Sequence, residues 1–192
     1  MSSVVLLSGG MDSCLMSVLT KESGVEQKPL FLNYGQLNFE KEFGAASRHV
    51  KEFGLPDVVK IDISGFGQVV TSGLTDSKKH IVEEAFLPGR NMLFLLIGSA
   101  FAVQNGCSSI AIGLLKEETA LFSDQTDDFL ISAEYTIEKA MGEKVSIVTP
   151  LRDFYKSDVV RLAKDKGITS SYSCHAGGDS PCGSCISCVE FK

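Results

Sequence analysis

The sequence predicts an α/β fold: a five-stranded parallel sheet flanked by helices, followed by a C-terminal module of four cysteines. Three observations carry this reading. Short, β-branched apolar runs alternate with segments of helical period. A glycine pair follows the first apolar run, where a strand gives way to a helix. Cys174, Cys182, Cys185 and Cys188 crowd the end of the chain.

The elements follow in order. Residues 4–7, Val-Val-Leu-Leu, are apolar at consecutive positions, as a strand covered on both faces must be. Residues 29–34, 57–63, 109–115 and 144–150 share that character and complete the five strands. A helical segment follows the glycine pair. Phe39, Phe43, Ala46, Val50 and Phe53 step by four and three, giving a second helix one apolar stripe with His49 on its polar side. Residues 91–105 are apolar nearly all round, which predicts a buried helix. Phe129, Ala133, Ile137 and Ala140 mark another, and residues 155–166 form a polar-faced helix closed by Gly167. Strand–helix alternation implies right-handed crossovers in an open sheet. Residues 65–89 are the longest irregular stretch, of the kind that covers active sites or moves. From Ser170 the composition turns to Ser, Gly and Cys, dividing the chain into a domain at 1–169 and a tail at 170–192.

A length of 192 residues is enough for one domain with its own core. The net charge of −6 argues against strong nucleic-acid binding. No apolar run approaches the ~18 residues of a membrane span, and the chain enters a strand too soon for a signal peptide. A cytoplasmic protein is therefore expected. In a reducing compartment, crowded cysteines point to metal rather than to disulfides. The C-x7-C-x2-C-x2-C spacing suits tetrahedral Zn²⁺ with no open position, and an iron–sulfur cluster is the alternative. His175 reads as a satisfied loop histidine, and Cys14 and Cys107 as small core residues.

The loop Ser8-Gly9-Gly10-Met11-Asp12-Ser13 sits at the carboxyl end of the first strand, where open α/β sheets bind ligands. Glycine admits a ligand close to the backbone, and the following helix start offers free N–H groups to phosphate. A P-loop lysine and a GxGxxG pattern are both missing, which argues against γ-phosphate transfer and dinucleotide binding. The loop resembles the SGGxDS signature of the PP-loop ATP pyrophosphatases. That resemblance implies an adenine nucleotide alpha hydrolase-like, Rossmann-like fold. It also implies cleavage of ATP between the α- and β-phosphates, with Ser8, Gly9, Gly10, Asp12 and Ser13 holding the departing pyrophosphate.

Further motifs narrow the resemblance. Tyr34-Gly35-Gln36 ends the second strand, and Pro88-Gly89-Arg90-Asn91 opens the buried helix. Thr149-Pro150-Leu151 ends the fifth strand, with Lys156 shortly after it. With the cysteines, these look like the QueC family of 7-cyano-7-deazaguanine synthases over almost the whole chain. The resemblance implies binding of ATP and Mg²⁺ by the loop together with Tyr34, Gly35, Gln36, Arg90, Asn91, Gly113 and Lys156. Asp12, Arg90 and Lys156 would be the catalytic residues, and Zn²⁺ would sit on Cys174, Cys182, Cys185 and Cys188. Physically, Arg90 supplies a planar fork for phosphate and Lys156 a point charge.

The pattern departs from the family at Leu37-Asn38 and over Gly113 to Phe129, where the purine-like substrate is expected. Glu118 and Asp124 could accept from a guanine-like edge, and Phe122 could stack on the base. A solvated acidic loop is the other reading of those carboxylates. The family implies adenylation of the carboxylate of 7-carboxy-7-deazaguanine, displacement of AMP by ammonia or another amine, and a homodimer. Two further readings stay open. One is a defence-system relative that joins a deazaguanine to a partner protein's terminus. The other is a nucleotide-binding scaffold without turnover.

Overall fold

The computed structural model describes residues 2–191. Five strands form one parallel sheet: β1 (Ser2–Leu6), β2 (Glu26–Asn33), β3 (Val59–Asp62), β4 (Ser109–Ala111) and β5 (Ser146–Val148). Their order is β3-β2-β1-β4-β5. The helices are α1 (Met11–Glu22), α2 (Phe39–Glu52), α3 (Gly65–Val69), α4 (Arg90–Gln104), α5 (Asp127–Met141), α6 (Lys156–Asp165) and α7 (Ile186–Val189). All five expected strands exist, and every expected helix does too.

Alternation along β1 divides the core. Val5 and Leu7 join Leu15, Ala46, Val50, Val159 and Ala163 on the face covered by α1, α2 and α6. Val4 and Leu6 join Leu95, Ala102, Ala133 and Ile137 under α4 and α5. Both faces are covered, which is why the strand reads as an unbroken apolar run.

Three local readings change. β4 and β5 are shorter than their apolar runs, because the chains diverge after Ile112, whose N–H reaches Val148 O at 3.0 Å. β2 starts earlier than expected and contains Pro29, tolerated because β3 pairs only from Leu30 onward. His49 is fully buried rather than on a polar face, with Nε2 2.7 Å from Ser17 Oγ. The α1–α2 packing swallows the side that the helical pattern alone assigns to solvent. Residues 65–89 are irregular beyond α3, as expected, and still pack into the core. Leu74, Ala85 and Leu87 are buried there, and Gly73 packs so closely that a Cβ would lie 2.4 Å from His80 O.

The chain runs outward from β1 through β2 to β3, then crosses back through α4 to β4 on the other side of β1. The sheet's switch point thus lies between the carboxyl ends of β1 and β4, where a crevice opens.

Candidate functional site

A cavity of about 310 Å³ occupies that crevice, within the size range of small-molecule sites. Ser8, Asp12 and Ser13 line it from the glycine loop, Tyr34 and Gln36 from the end of β2, Arg90 and Asn91 from α4, and Gly113 from the end of β4.

The glycine loop is held ready by its own hydroxyls. Ser8 Oγ lies 3.0 Å from Ser13 Oγ and accepts from Gly10 N at 3.3 Å, and Ser13 Oγ donates to Gly10 O at 3.0 Å. Gly9 has φ +82°, and a Cβ there would lie 2.3 Å from Glu42 O. Only glycine fits between the turn and α2. Gly10 faces the tail, its Cβ position 3.8 Å from Ser173 Oγ.

Lys156 is the first residue of α6 and Asp12 the second of α1, and the packing of these two helices brings the side chains together. Lys156 Nζ lies 2.8 and 2.9 Å from the Asp12 carboxylate oxygens and 3.4 Å from Glu190 Oε2. Tyr155 N donates to Asp158 Oδ2 at 3.1 Å, fixing the helix start that carries Lys156. Gly89, with φ +76°, turns the chain into α4 and sets Arg90 at its first turn. The guanidinium lies 5.9 Å from the ring centres of both Tyr34 and Phe94. Asn91 Nδ2 donates to Asp124 O at 2.9 Å, tying α4 to the segment before α5.

The Tyr-Gly-Gln turn is stapled by side chains. Gln36 Oε1 accepts from Tyr34 N at 2.9 Å, and Asn33 Oδ1 accepts from Gly35 N at 3.1 Å. Gly35 itself does not line the cavity; with φ +89° it lets the turn pass Ser64. Burial pushes the Tyr34 phenol up to about 12.

The three residues expected to read the base separate. Phe122 lines the cavity, its ring 5.0 Å from that of Phe86. Asp124 is buried beneath the wall, its Oδ1 without a partner among the described residues and its pKa raised by burial. Glu118 lies outside the cavity, bonded to the Tyr155 hydroxyl and 3.5 Å from Lys116 Nζ. The Glu117–Thr119 turn points that carboxylate toward α6 instead of inward.

The cysteines assemble as the spacing predicts. The four sulfurs of Cys174, Cys182, Cys185 and Cys188 lie within 4.8 Å of one another. The N–H groups of Cys182, Cys185 and Cys188 donate to the sulfurs of Cys174, Cys182 and Cys185 at 3.3, 3.3 and 3.4 Å. Such N–H groups stabilise thiolates, and those of Ser184 and Cys185 hold the Cys182 thiol below its usual range. The donor set fits a tetrahedral metal ion. The tail also supports the glycine loop: Tyr172 N donates to Gly9 O at 2.9 Å, and Met11 N to Ser173 Oγ at 3.2 Å.

Sequence reasoning missed three titratable residues that line the cavity: Glu42, His175 and Glu190. His175 is no satisfied loop histidine. Its Nδ1 is buried without a partner among the described residues, and burial holds the ring near pKa 4, neutral at physiological pH. Glu42 left a readable trace, a carboxylate inside the apolar stripe of Phe39, Phe43 and Ala46. Glu190 left none, because it reaches the site only through the fold of the tail.

A switch-point crevice, a glycine loop at a helix start, and Arg90 and Lys156 beside it define a nucleotide-binding protein of the PP-loop ATP pyrophosphatase class. Comparison with known proteins narrows the class. The family described as "Queuosine biosynthesis protein QueC" matches residues 2–192, and the chain belongs to it. As a member of that family it is an ATP-dependent ligase. It is 32% identical to the 7-cyano-7-deazaguanine synthase of Nitratiruptor sp., over 98% of this chain and 90% of that one. The synthase of Methanobrevibacter smithii is 30% identical, also over 98% and 90%. Among solved structures, NMN synthetase from Francisella tularensis superposes with a TM-score of 0.59 at 19% identity, covering 93% of this chain and 68% of that one. The tRNA thiolase NcsA from Methanococcus maripaludis gives 0.58 at 18% identity, covering 97% and 62%. These two show a shared fold.

Proposed function

We propose that the protein adenylates the carboxylate of 7-carboxy-7-deazaguanine with ATP, releases pyrophosphate, and lets ammonia displace AMP on the way to 7-cyano-7-deazaguanine. One cavity joins the SGGMDS loop to Phe122 and the base-reading segment, and this observation carries the reading. The loop N–H groups and the start of α1 hold the β- and γ-phosphates as they leave. Arg90 and Lys156 offset the charge that develops on pyrophosphate, doing from two distant helices what one P-loop lysine does elsewhere. No covalent nucleophile is needed; catalysis is positioning and charge stabilisation. Phe122 stacks on the base, and Asp124, behind the wall, positions that segment through the bond from Asn91 to its backbone oxygen.

Mg²⁺ bound with ATP would supply positive charge to the leaving group. Asp12, the cavity carboxylate nearest the glycine loop, is the residue that would hold it. Zn²⁺ would be structural on the four thiolates, fastening the tail at 170–192 to the glycine loop of the domain at 1–169.

The test is pyrophosphate release with 7-carboxy-7-deazaguanine and ammonium, read together with product mass. Substrate-stimulated release and a free nitrile support the reading. A mass increase on an added partner protein instead would assign the acceptor to a protein terminus. No stimulation by any carboxylated deazaguanine would reject the substrate.

A further inference from the structure

The cavity holds a carboxylate that the adenylation chemistry does not use. Glu42, on α2, reaches the crevice from beneath the glycine loop, and its own backbone oxygen is the atom that packs against Gly9. Its Oε1 accepts from Asn38 Nδ2 at 3.0 Å and its Oε2 from Gln36 Nε2 at 3.1 Å. Both partners are neutral amides, and no lysine or arginine pairs with the carboxylate among the described residues. A half-buried negative charge beside a phosphate site, hydrogen-bonded only to amides and with the Arg90 guanidinium nearby but not paired with it, gains from a further cation.

We propose that Glu42 is the acceptor for the attacking amine: it binds an ammonium ion inside the cavity and takes its proton. This rests on the adenylation reading. The ion's size fits a carboxylate already oriented by two amides, each leaving lone pairs free for further donors. One N–H bond of ammonium breaks, and the proton passes to a Glu42 oxygen. The freed lone pair forms the C–N bond to the adenylated carbonyl carbon. The C–O bond to AMP then breaks, AMP leaves with the electron pair, and a second proton leaves the nitrogen to water.

The groups facing Glu42 suit this role. Arg90 approaches from α4, the Tyr34 phenol from the end of β2, and the Tyr172 phenol from the tail, while Gly9 of the glycine loop packs against the Glu42 backbone. Burial pushes the carboxyl up to about 7, so it exchanges a proton near neutral pH, where a general base works best.

The experiment uses the full-length, metal-loaded protein and Glu42→Gln. Amide formation from ammonium falls at least ~100-fold in E42Q, while carboxylate-dependent exchange of pyrophosphate into ATP keeps at least about a tenth of its rate. The wild-type rate at fixed ammonium-ion concentration rises with pH through about 7, and E42Q loses that limb. Glu42→Asp, which keeps the charge, recovers part of the loss. A second readout needs no substrate. Ammonium chloride, at tenfold excess over its Kd, raises the wild-type melting midpoint by about 3 °C over equal sodium chloride, and leaves that of E42Q unchanged. Exchange and amide formation lost in proportion, with no ammonium-specific melting shift, would overturn the proposal. So would a Glu42-dependent shift given by Mg²⁺ and not by ammonium. If the deazaguanine drives no exchange in the wild type, the substrate reading fails, and the melting shift decides the ammonium site by itself.

Discussion

Replacing Gly9 by alanine tests how tightly the glycine loop is built into the fold. The residue has φ +82°, which costs an L side chain ~1–2 kcal/mol. The new Cβ would lie 2.3 Å from Glu42 O and 2.8 Å from Ala46 N. Both atoms belong to the α2 backbone and cannot rotate away, so the loop or the helix must shift, at ~1–3 kcal/mol. The stiffer unfolded chain returns ~0.4–1 kcal/mol. The net loss is about 3 kcal/mol, a fall in melting midpoint of about 6–12 °C for a chain of this size. Gly142→Ala is the control. That glycine has φ +71° with no atom within 4 Å of its Cβ position, so only the backbone strain applies, about 0.5–1 kcal/mol. Urea unfolding of both variants gives the two numbers, and ATP binding gives the functional consequence, a weaker site in G9A alone. Equal losses in the two variants would refute the packing argument.

Lys156→Met lowers pyrophosphate release about 100-fold. Because Asp12 loses its partner in that variant, D12N combined with K156M costs less than the two single losses together, measured as a double-mutant cycle. Removing metal with a chelator loosens Tyr172 and Ser173 from the glycine loop, so ATP affinity falls along with the metal content read by elemental mass spectrometry. Acid sensitivity has a specific source in His49, whose pKa burial lowers from 6.5 to about 4. The unfolded state takes up its proton first as pH falls, so stability is full above pH 6.5 and drops by about 3 kcal/mol between 6.5 and 4. His49→Phe flattens that limb in urea titrations at several pH values; Ser17 Oγ keeps its 2.7 Å bond to Cys14 O.

The sequence by itself determined the strand count, the helix stripes, the glycine loop and the four cysteines. Each of these rests on local rules: apolar runs for covered strands, period 3.6 for helices, glycine where a backbone must turn closely, and thiol spacing for a metal. Arg90 and Lys156 were legible as cations at helix starts near motif residues, although their partners were not. Only the tertiary structure decided what faces the cavity. The placement of β4 beside β1 creates the crevice, α1–α6 packing joins Lys156 to Asp12, and the tail's fold delivers His175 and Glu190 to a loop formed at the other end of the chain. The same packing buries His49, turns Glu118 toward Tyr155, and leaves Glu42 without an ion pair among the described residues. Those outcomes depend on which helix faces meet across the sheet, and side chains far apart in sequence acquire a common environment only when the core closes.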